Sequence, residues 1–268
     1  MSNQSLAVAD LLARIRERKP LVHHITNIVV ANDTANLTLA IGALPVMAPA
    51  EEEVEEMVSL ASALVLNIGT LTKELIAAML RAGKQANARN IPIILDPVGA
   101  GATRFRTQNA LHLLSELRIA VLRGNAAEIG ALVGIAGETR GVESISTGAA
   151  PDVIARTAAH EFGCVVAITG ARDVIVQNER YAEVANGHPM LATITGSGCM
   201  STSMIGAFLA VADDPWQATV AGLVAMGIAG EVAAPQSGGP GTFRSHLLDA
   251  VAALTPEQLR LQQKVDLL

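Results

Sequence analysis

Between residues 63 and 169 the chain alternates short, almost wholly apolar runs with longer amphipathic stretches, and no other feature restricts its fold as strongly. The runs are Ala63–Ile68, Ile91–Leu95, Ile119–Leu122 and Cys164–Thr169. The stretches between them, Leu71–Asn90, Thr107–Leu117, Asn125–Val133 and Pro151–Phe162, read as helices; in the first, Leu71, Leu75, Ile76, Met79 and Leu80 share one face. A strand that is apolar on both sides must be covered on both sides, so strands of this kind separated by helices imply a parallel sheet between two helical layers. Right-handed crossovers follow from strand twist. Pro92 is compatible because it stands at a strand start. The expected fold class is therefore α/β, with a mostly parallel sheet and helices on both faces.

The flanks extend this pattern. Ser5–Arg18 predicts a helix with Val8, Leu11, Leu12 and Ile15 on one face, and Pro20 follows it. Leu21–Ile25 predicts a strand, Asn27–Gly42 a helix, and Val46–Met47 a short extended piece. Glu51–Ser62 predicts a helix whose first six residues include five acids, which suits the positive end of a helix dipole. Gly134–Ala149 is a Gly/Ser-rich insertion. After Gly170, Asp173–Gln177 and Arg180–Val184 flank Asn178-Glu179 as a hairpin at the sheet edge. Helices are expected at Ser201–Ala212, Pro215–Ala234 and Thr242–Leu254. No repeat or linker divides the chain, so residues 1–268 are read as one domain.

Composition narrows the class of protein. Hydrophobic residues make up 50% and charged residues 16%, which argues against disorder and for much buried helix or an oligomer. No uninterrupted apolar run reaches bilayer length; the run after Cys199 ends at Asp213, Asp214 and Pro215. The first ten residues lack the basic start and apolar core of a signal peptide. Cys164 and Cys199 are too few for a disulfide framework, and a reducing cytoplasm is expected. Net charge is −6 and aromatic content 2%, so both the electrostatic footprint and the stacking platform of a nucleic-acid binder are missing.

One stretch carries a concentrated chemical signal: Thr193–Ala210, T-I-T-G-S-G-C-M-S-T-S-M-I-G-A-F-L-A. A β-branched run ends at Thr195, Gly196 and Gly198 flank Ser197, and Cys199 opens an apolar run of small residues. A turn of this kind presents free N–H groups at the positive end of a helix, a setting for a phosphate or a developing oxyanion. Cys199 would stand where a thiol pKa is lowered. The plainer alternative is an ordinary strand-to-helix turn with a buried cysteine.

In open α/β sheets ligands gather beyond the carboxyl ends of the strands. His24, Thr26 and Asn27, then Asn67, Asp96, Arg123 and Asn125, and Thr169 all fall at such ends. Asp96, in I-I-L-D-P-V-G-A-G, is placed to face a magnesium ion or its water, although Asp-Pro also starts turns. Asn125 and Glu128 have the spacing of a helix capping box; the functional alternative is a second carboxylate near metal and phosphate. Arg123 is a candidate phosphate fork or a solvated arginine, and Thr169-Gly170 a nucleotide contact or a turn. His23 and His24 point to opposite faces of a strand, so they do not share a metal, and each is read as a satisfied buried histidine. Met47 is read as core or pocket wall.

With these residues in view, the chain resembles the ribokinase-fold small-molecule kinases, and within them the hydroxyethylthiazole kinases of thiamine salvage. The resemblance runs through H-H-I-T-N, G-A-L-P-V-M-A, I-L-D-P-V-G-A-G, V-L-R-G-N-A-A-E-I, A-I-T-G and T-G-S-G-C-M. It implies a ribokinase-like three-layer fold and transfer of the ATP γ-phosphate to the primary alcohol of 4-methyl-5-(2-hydroxyethyl)thiazole. It places Gly196, Ser197, Gly198 and Cys199 at the anion hole, with Cys199 beside the attacking hydroxyl. It assigns Asp96 and Glu128 to magnesium (Mg2+) and phosphates, and Arg123, Thr169 and Asn125 to ATP. Met47 and Gly196 would contact the thiazole, with Asn27 nearby. It also implies a homotrimer with active sites between subunits. Two rivals share the fold, a kinase of hydroxymethylpyrimidine and a nicotinamide-nucleotide repair dehydratase. Two do not depend on it: a non-catalytic nucleotide binder, and an enzyme with Cys199 as covalent nucleophile and His23 or His24 as base.

Overall fold

The computed structural model of the protein describes residues 6–135, 137–140, 143–147 and 149–267. Its strands are β1 (Leu21–Ile25), β2 (Leu44–Met47), β3 (Ala63–Asn67), β4 (Ile93–Asp96), β5 (Val121–Gly124), β6 (Gly137–Arg140), β7 (Glu143–Thr147), β8 (Val165–Ile168), β9 (Asp173–Gln177), β10 (Arg180–Val184) and β11 (Val265–Leu267). Its helices are α1 (Val8–Arg18), α2 (Ala31–Ile41), α3 (Val54–Leu60), α4 (Lys73–Ala88), α5 (Arg104–Glu116), α6 (Ala126–Leu132), α7 (Pro151–Phe162), α8 (Ser197–Leu209), α9 (Pro215–Ala233), α10 (Pro240–Ala253) and α11 (Pro256–Gln262).

Nine strands form one sheet in the order β11-β10-β9-β8-β5-β4-β3-β1-β2. From β2 through β8 every neighbouring pair is parallel, and β9, β10 and β11 continue the sheet antiparallel. Strand alternation explains the two cores. Leu64 and Leu66 of β3 pack with Val58, Met79, Leu113 and Ile154 from α3, α4, α5 and α7 on one face. Ala63 and Val65 of the same strand pack with Leu12, Leu37, Phe208, Val224 and Phe243 from α1, α2, α8, α9 and α10 on the other. Both faces are therefore dry, which is what the uninterrupted apolar runs demand.

Among the described residues one helix, spanning Pro215–Gln236 with its 3-10 extension, is long and apolar enough to cross a membrane, with mean hydropathy 1.5. Uninterrupted runs alone had not singled it out. It is the central core helix: its residues are buried on nearly all sides, packed on α8 and α10.

Several boundaries differ from the sequence expectation. Residues 193–195 do not form a strand; a 3-10 helix, Pro189–Thr193, precedes the Gly196 turn. α8 begins at Ser197, not Ser201, so the turn residues are themselves the first turn of the helix. α5 begins at Arg104, where Thr103 caps it through the Arg106 N–H at 3.3 Å. α2 starts only at Ala31, because Asn27 Oδ1 accepts the Val29 and Val30 N–H groups and holds an Asx turn ahead of it. Within the Gly134–Ala149 insertion, β6 and β7 pair antiparallel; residues 136, 141–142 and 148 lie outside the described set, as do residues 1–5, where the first helix was expected to start. α11 and β11 were not expected. Thr255 and Gln258 cap α11 reciprocally, and β11 adds the outermost strand beside β10.

Candidate active site

The carboxyl ends of β1, β3, β4, β5 and β8 share one edge of the sheet, and the N-terminus of α8 is directed into that edge. Gly196 makes this possible. It adopts φ +84°, and a Cβ there would stand 2.4 Å from Val30 Cγ1. Its carbonyl accepts the Met200 N–H at 2.8 Å, so the N–H groups of Ser197, Gly198 and Cys199 have no acceptor within the helix. No side chain caps this end.

Arg123, the third residue of β5, lies across the same turn. A Cβ on Gly198 would be 2.8 Å from Nη1 and 2.9 Å from Nη2. The glycine thus lets a guanidinium lie against the helix end. The other guanidinium contacts are Thr169 Oγ1, to which Nη2 donates, and Asp96 Oδ2, 3.6 Å from Nη1. Arg123, Thr169, Gly170, Ser197 and Gly198 line a cleft of about 530 Å³ whose far wall is built from Asn186–Pro189, Leu191 and the α9 residues Leu223, Met226 and Gly227.

On the other side of the turn the polar groups are bonded to one another. Asp96 is fully buried at the end of β4, and its Oδ2 accepts from Asn67 Nδ2 at 2.9 Å and Thr202 Oγ1 at 2.8 Å. Asn67 Oδ1 accepts from Asn27 Nδ2 at 2.8 Å, and the same Asn27 nitrogen reaches Cys199 Sγ at 3.6 Å. Glu128 accepts the Gly99 N–H at 2.8 Å on Oε1 and the Asn125 N–H at 2.9 Å on Oε2, while Asn125 Oδ1 accepts the Glu128 N–H at 2.9 Å. The capping box is therefore real, and the carboxylate it holds is near enough to feel the Asp96 charge.

The electrostatics follow from burial. The Asp96 carboxyl is pushed above its usual range by burial, opposed by Arg123 and by the bonds from Thr202 and Asn67. Glu128 is pushed up to about 7, first by burial and then by the Asp96 charge. The Cys199 thiol is pushed up to about 12 by burial and by Asp96. This reverses the expected lowering: the helix N-terminus favours the thiolate, but loss of water and a neighbouring carboxylate outweigh it. The covalent-cysteine reading loses its support here. His24 is pushed down to about 3 by burial, and His23 is also lowered. Their Nε2 atoms contact Thr38 Oγ1 and the Ala48 carbonyl, not the thiol.

The structure thus brings together Asn27, Asp96, Arg123, Glu128, Thr169 and the Gly196–Cys199 turn. Met47 stays apart from the cleft; it ends the edge strand β2, in register with His24. Asn67 was noticed only as one polar strand end, yet it links Asn27 to Asp96. Thr202 was missed. Its one signal is its place in the hydroxyl run Ser201-Thr202-Ser203, a single turn beyond Gly198. Among the described residues no group of three or more His, Cys, Asp or Glu side chains could hold a metal, so a cation here would rest on one or two carboxylates.

The α/β sheet of this order, with a helix N-terminus and an arginine at its carboxyl edge, has the ribokinase-like fold. A solved ribokinase-like superfamily protein from Enterococcus faecalis V583 superposes with a TM-score of 0.63 at 13% identity, over 91% of this chain and 93% of its own, which shows the shared fold. The chain belongs to the hydroxyethylthiazole kinase family, whose sequence profile matches residues 12–257. It is similar to the hydroxyethylthiazole kinase of Thermoanaerobacter pseudethanolicus, with 54% identity over 96% of this chain and 98% of that one. The solved hydroxyethylthiazole kinase protein from Pyrococcus horikoshii OT3 has a TM-score of 0.89 and 43% identity, over 97% of this chain and 98% of that one.

Proposed function

We propose that this kinase transfers the γ-phosphoryl group of ATP to the primary alcohol of 4-methyl-5-(2-hydroxyethyl)thiazole, a step of thiamine salvage. The observation that carries the reading is Arg123 lying against the open first turn of α8, between the cleft and Asp96. Phosphoryl transfer requires positioning and neutralisation of spread negative charge more than covalent chemistry. The free N–H groups of Ser197, Gly198 and Cys199 and the guanidinium offer a cradle for phosphate oxygens. The cleft beyond, walled by Leu191, Leu223 and Met226, has the size and apolar lining that suit a nucleoside, with Thr169 at its mouth. A solved pyridoxal kinase from Bacillus subtilis, 14% identical with a TM-score of 0.57, is an ADP complex.

The residues present fit a magnesium ion. Asp96 Oδ1 is a buried carboxylate oxygen without a hydrogen-bond partner, and Glu128 keeps lone pairs beyond its two backbone bonds. Magnesium prefers such hard oxygens together with phosphate, and when bound it would offset charge on the phosphate oxygens. Asp96 and Glu128 would hold it. Asn67, Thr202 and Asn27 orient the carboxylate and the thiol around the place of attack. Cys199 is a neutral neighbour at physiological pH; a loose transition state asks for little deprotonation of the alcohol early on.

The chain acts as one domain, supported by a sheet that joins strands from both ends of it. A cytoplasmic homotrimer with sites between subunits is consistent with the apolar surface beside Asn27, where Ile28 is 85% exposed and Val29 62%. In such an assembly Met47 of the edge strand would meet a neighbour's site. The test of the reaction is ADP production from ATP and magnesium, with and without the thiazole. Thiazole-dependent turnover, with the phosphorylated alcohol seen by mass spectrometry, is expected; folded protein that binds ATP and leaves the thiazole unchanged would overturn the substrate.

A further inference from the structure

The loops after β3 and β4 have no regular structure, yet they deliver side chains that must hold still. Arg106, in the first turn of α5, joins them. Its Nη1 donates to the Ile68 carbonyl at 3.0 Å and the Val98 carbonyl at 2.7 Å, and its Nη2 to the Gly69 carbonyl at 2.8 Å. Gly99, at φ +75°, lies against the arginine stem, where a Cβ would meet Arg106 Cδ at 3.0 Å. Each loop ends on the buried cluster. The Gly69 N–H donates to Asn67 Oδ1 at 2.9 Å, and a Cβ on Gly69 would stand 2.6 Å from Asn27 Nδ2. The Gly99 N–H donates to Glu128 Oε1 at 2.8 Å.

We infer that Arg106 is a positioning residue: one guanidinium ties the loop at 68–69 to the loop at 98–99 and so fixes the Asn27–Asn67 pair relative to Glu128. The inference rests on the reading of this cluster as the site of phosphoryl transfer. Its partners are three uncharged carbonyls from two loops, so the planar fork matters and the charge alone does not. Loops of this kind carry unpaired carbonyls that water would otherwise have to reach. Arg106, half-buried, takes them up from the first turn of α5. It has no contact with the cleft lined by Arg123 and Thr169.

The experiment compares wild type with Arg106→Lys and Arg106→Gln. Misplacement of reacting groups by a fraction of an ångström to an ångström is expected to lower kcat ~10- to 100-fold in both variants. The KM for ATP stays where it is, because the cleft is untouched, and lysine rescues little of the loss because a point donor cannot span both loops. Hydrogen exchange followed by mass spectrometry is expected to quicken at residues 68–70 and 98–101 and to stay unchanged at 121–125. Full kcat in folded Arg106→Gln would overturn the inference. So would a rise in the KM for ATP that accompanies faster exchange throughout the chain, which marks a general structural role. If wild type itself shows no thiazole-dependent turnover, the reaction assigned above fails. The exchange pattern then decides the brace alone: local loosening of both loops supports it, and unchanged loops refute it.

Discussion

The first turn of α8 has two unlike flanks. On one, Asn27, Asn67, Asp96 and Thr202 are buried and bonded to each other, with Glu128 and Cys199 beside them. On the other, Arg123 and Thr169 open onto a cleft of about 530 Å³ with apolar walls. The difference is one of dielectric. Charge held on the dry flank is expensive, as the raised Asp96 and Glu128 carboxyls record, so it is kept only where a cation can meet it. The open flank carries space and one fixed cation, which suits a large anion. Arg123 belongs to both flanks through Asp96 and Thr169, and the comparison is sharpest there.

Asp96→Asn should have the largest effect. The change keeps the shape and leaves an amide where a buried carboxylate stood. Loss of a preorganised charge at the reacting centre predicts a fall in kcat of ~10²- to 10³-fold or more. The KM for ATP should change little, and steady-state kinetics at saturating magnesium read both. A large rise in that KM with kcat preserved would erase the distinction between the flanks.

Arg123→Gln attacks the boundary. Charge-assisted hydrogen bonds to phosphate contribute about 1.5–3 kcal/mol each, so ATP affinity should weaken roughly 10- to 100-fold in a calorimetric titration. Because Arg123 also offsets the Asp96 charge, the double variant with Asp96→Asn should lose less than the sum of the single losses. Additive losses would mean the flanks are independent.

Glu128 tests the dry flank through pH. Its folded value of about 7 lies above the ordinary 4.5, so folding favours the protonated carboxyl. The stability tied to this group is fully present below about pH 4.5 and is lost as pH rises through about 7. In metal-free protein, wild type should therefore lose Tm relative to Glu128→Gln between pH 5 and 8, by roughly 5 °C. Asp173, pushed up to about 6 by burial, titrates in the same window but is present in both proteins, so the difference isolates Glu128. Parallel melting curves across that window would show that the Glu128 carboxyl is not held in a dry site.

Much of this comparison was legible before the fold was seen, and the parts that were not have a common cause. The parallel strands announced themselves because residues such as Leu64, Val65 and Leu66 are apolar on both faces. Asp96, Arg123 and Thr169 stood out because strand ends are where such sheets place ligands. The start of α8 did not, since a left-handed Gly196 replaces the usual Ser, Thr or Asp cap. Thr255-Pro256-Glu257-Gln258 did carry a capping signature, and α11 could have been read from it. The Thr202 bond to Asp96 spans 106 positions, and no local pattern encodes it. The Cys199 thiol failed for the same reason: its helix is local, but the burial that raises it is a product of the whole fold, and the Asp96 carboxylate that adds to it comes from β4.

That thiol gives the smallest predicted effect and separates a neighbour from a base. Held at about 12, it is neutral across the physiological range, and a neutral thiol cannot accept the proton of an alcohol. Its sulfur accepts from Asn27 Nδ2 at 3.6 Å, the nitrogen that also ties Asn27 to Asn67. A net hydrogen bond contributes about 1 kcal/mol, so Cys199→Ala should lower kcat only ~5-fold and leave its pH profile unchanged. Iodoacetamide should label Cys199 slowly at pH 8, since only the thiolate reacts. Cys199→Asp would set a second carboxylate against Asp96 and should be worse than alanine unless magnesium is raised. A dead alanine variant rescued by aspartate would make position 199 the base, and the dry flank would then hold the proton acceptor as well as the charges.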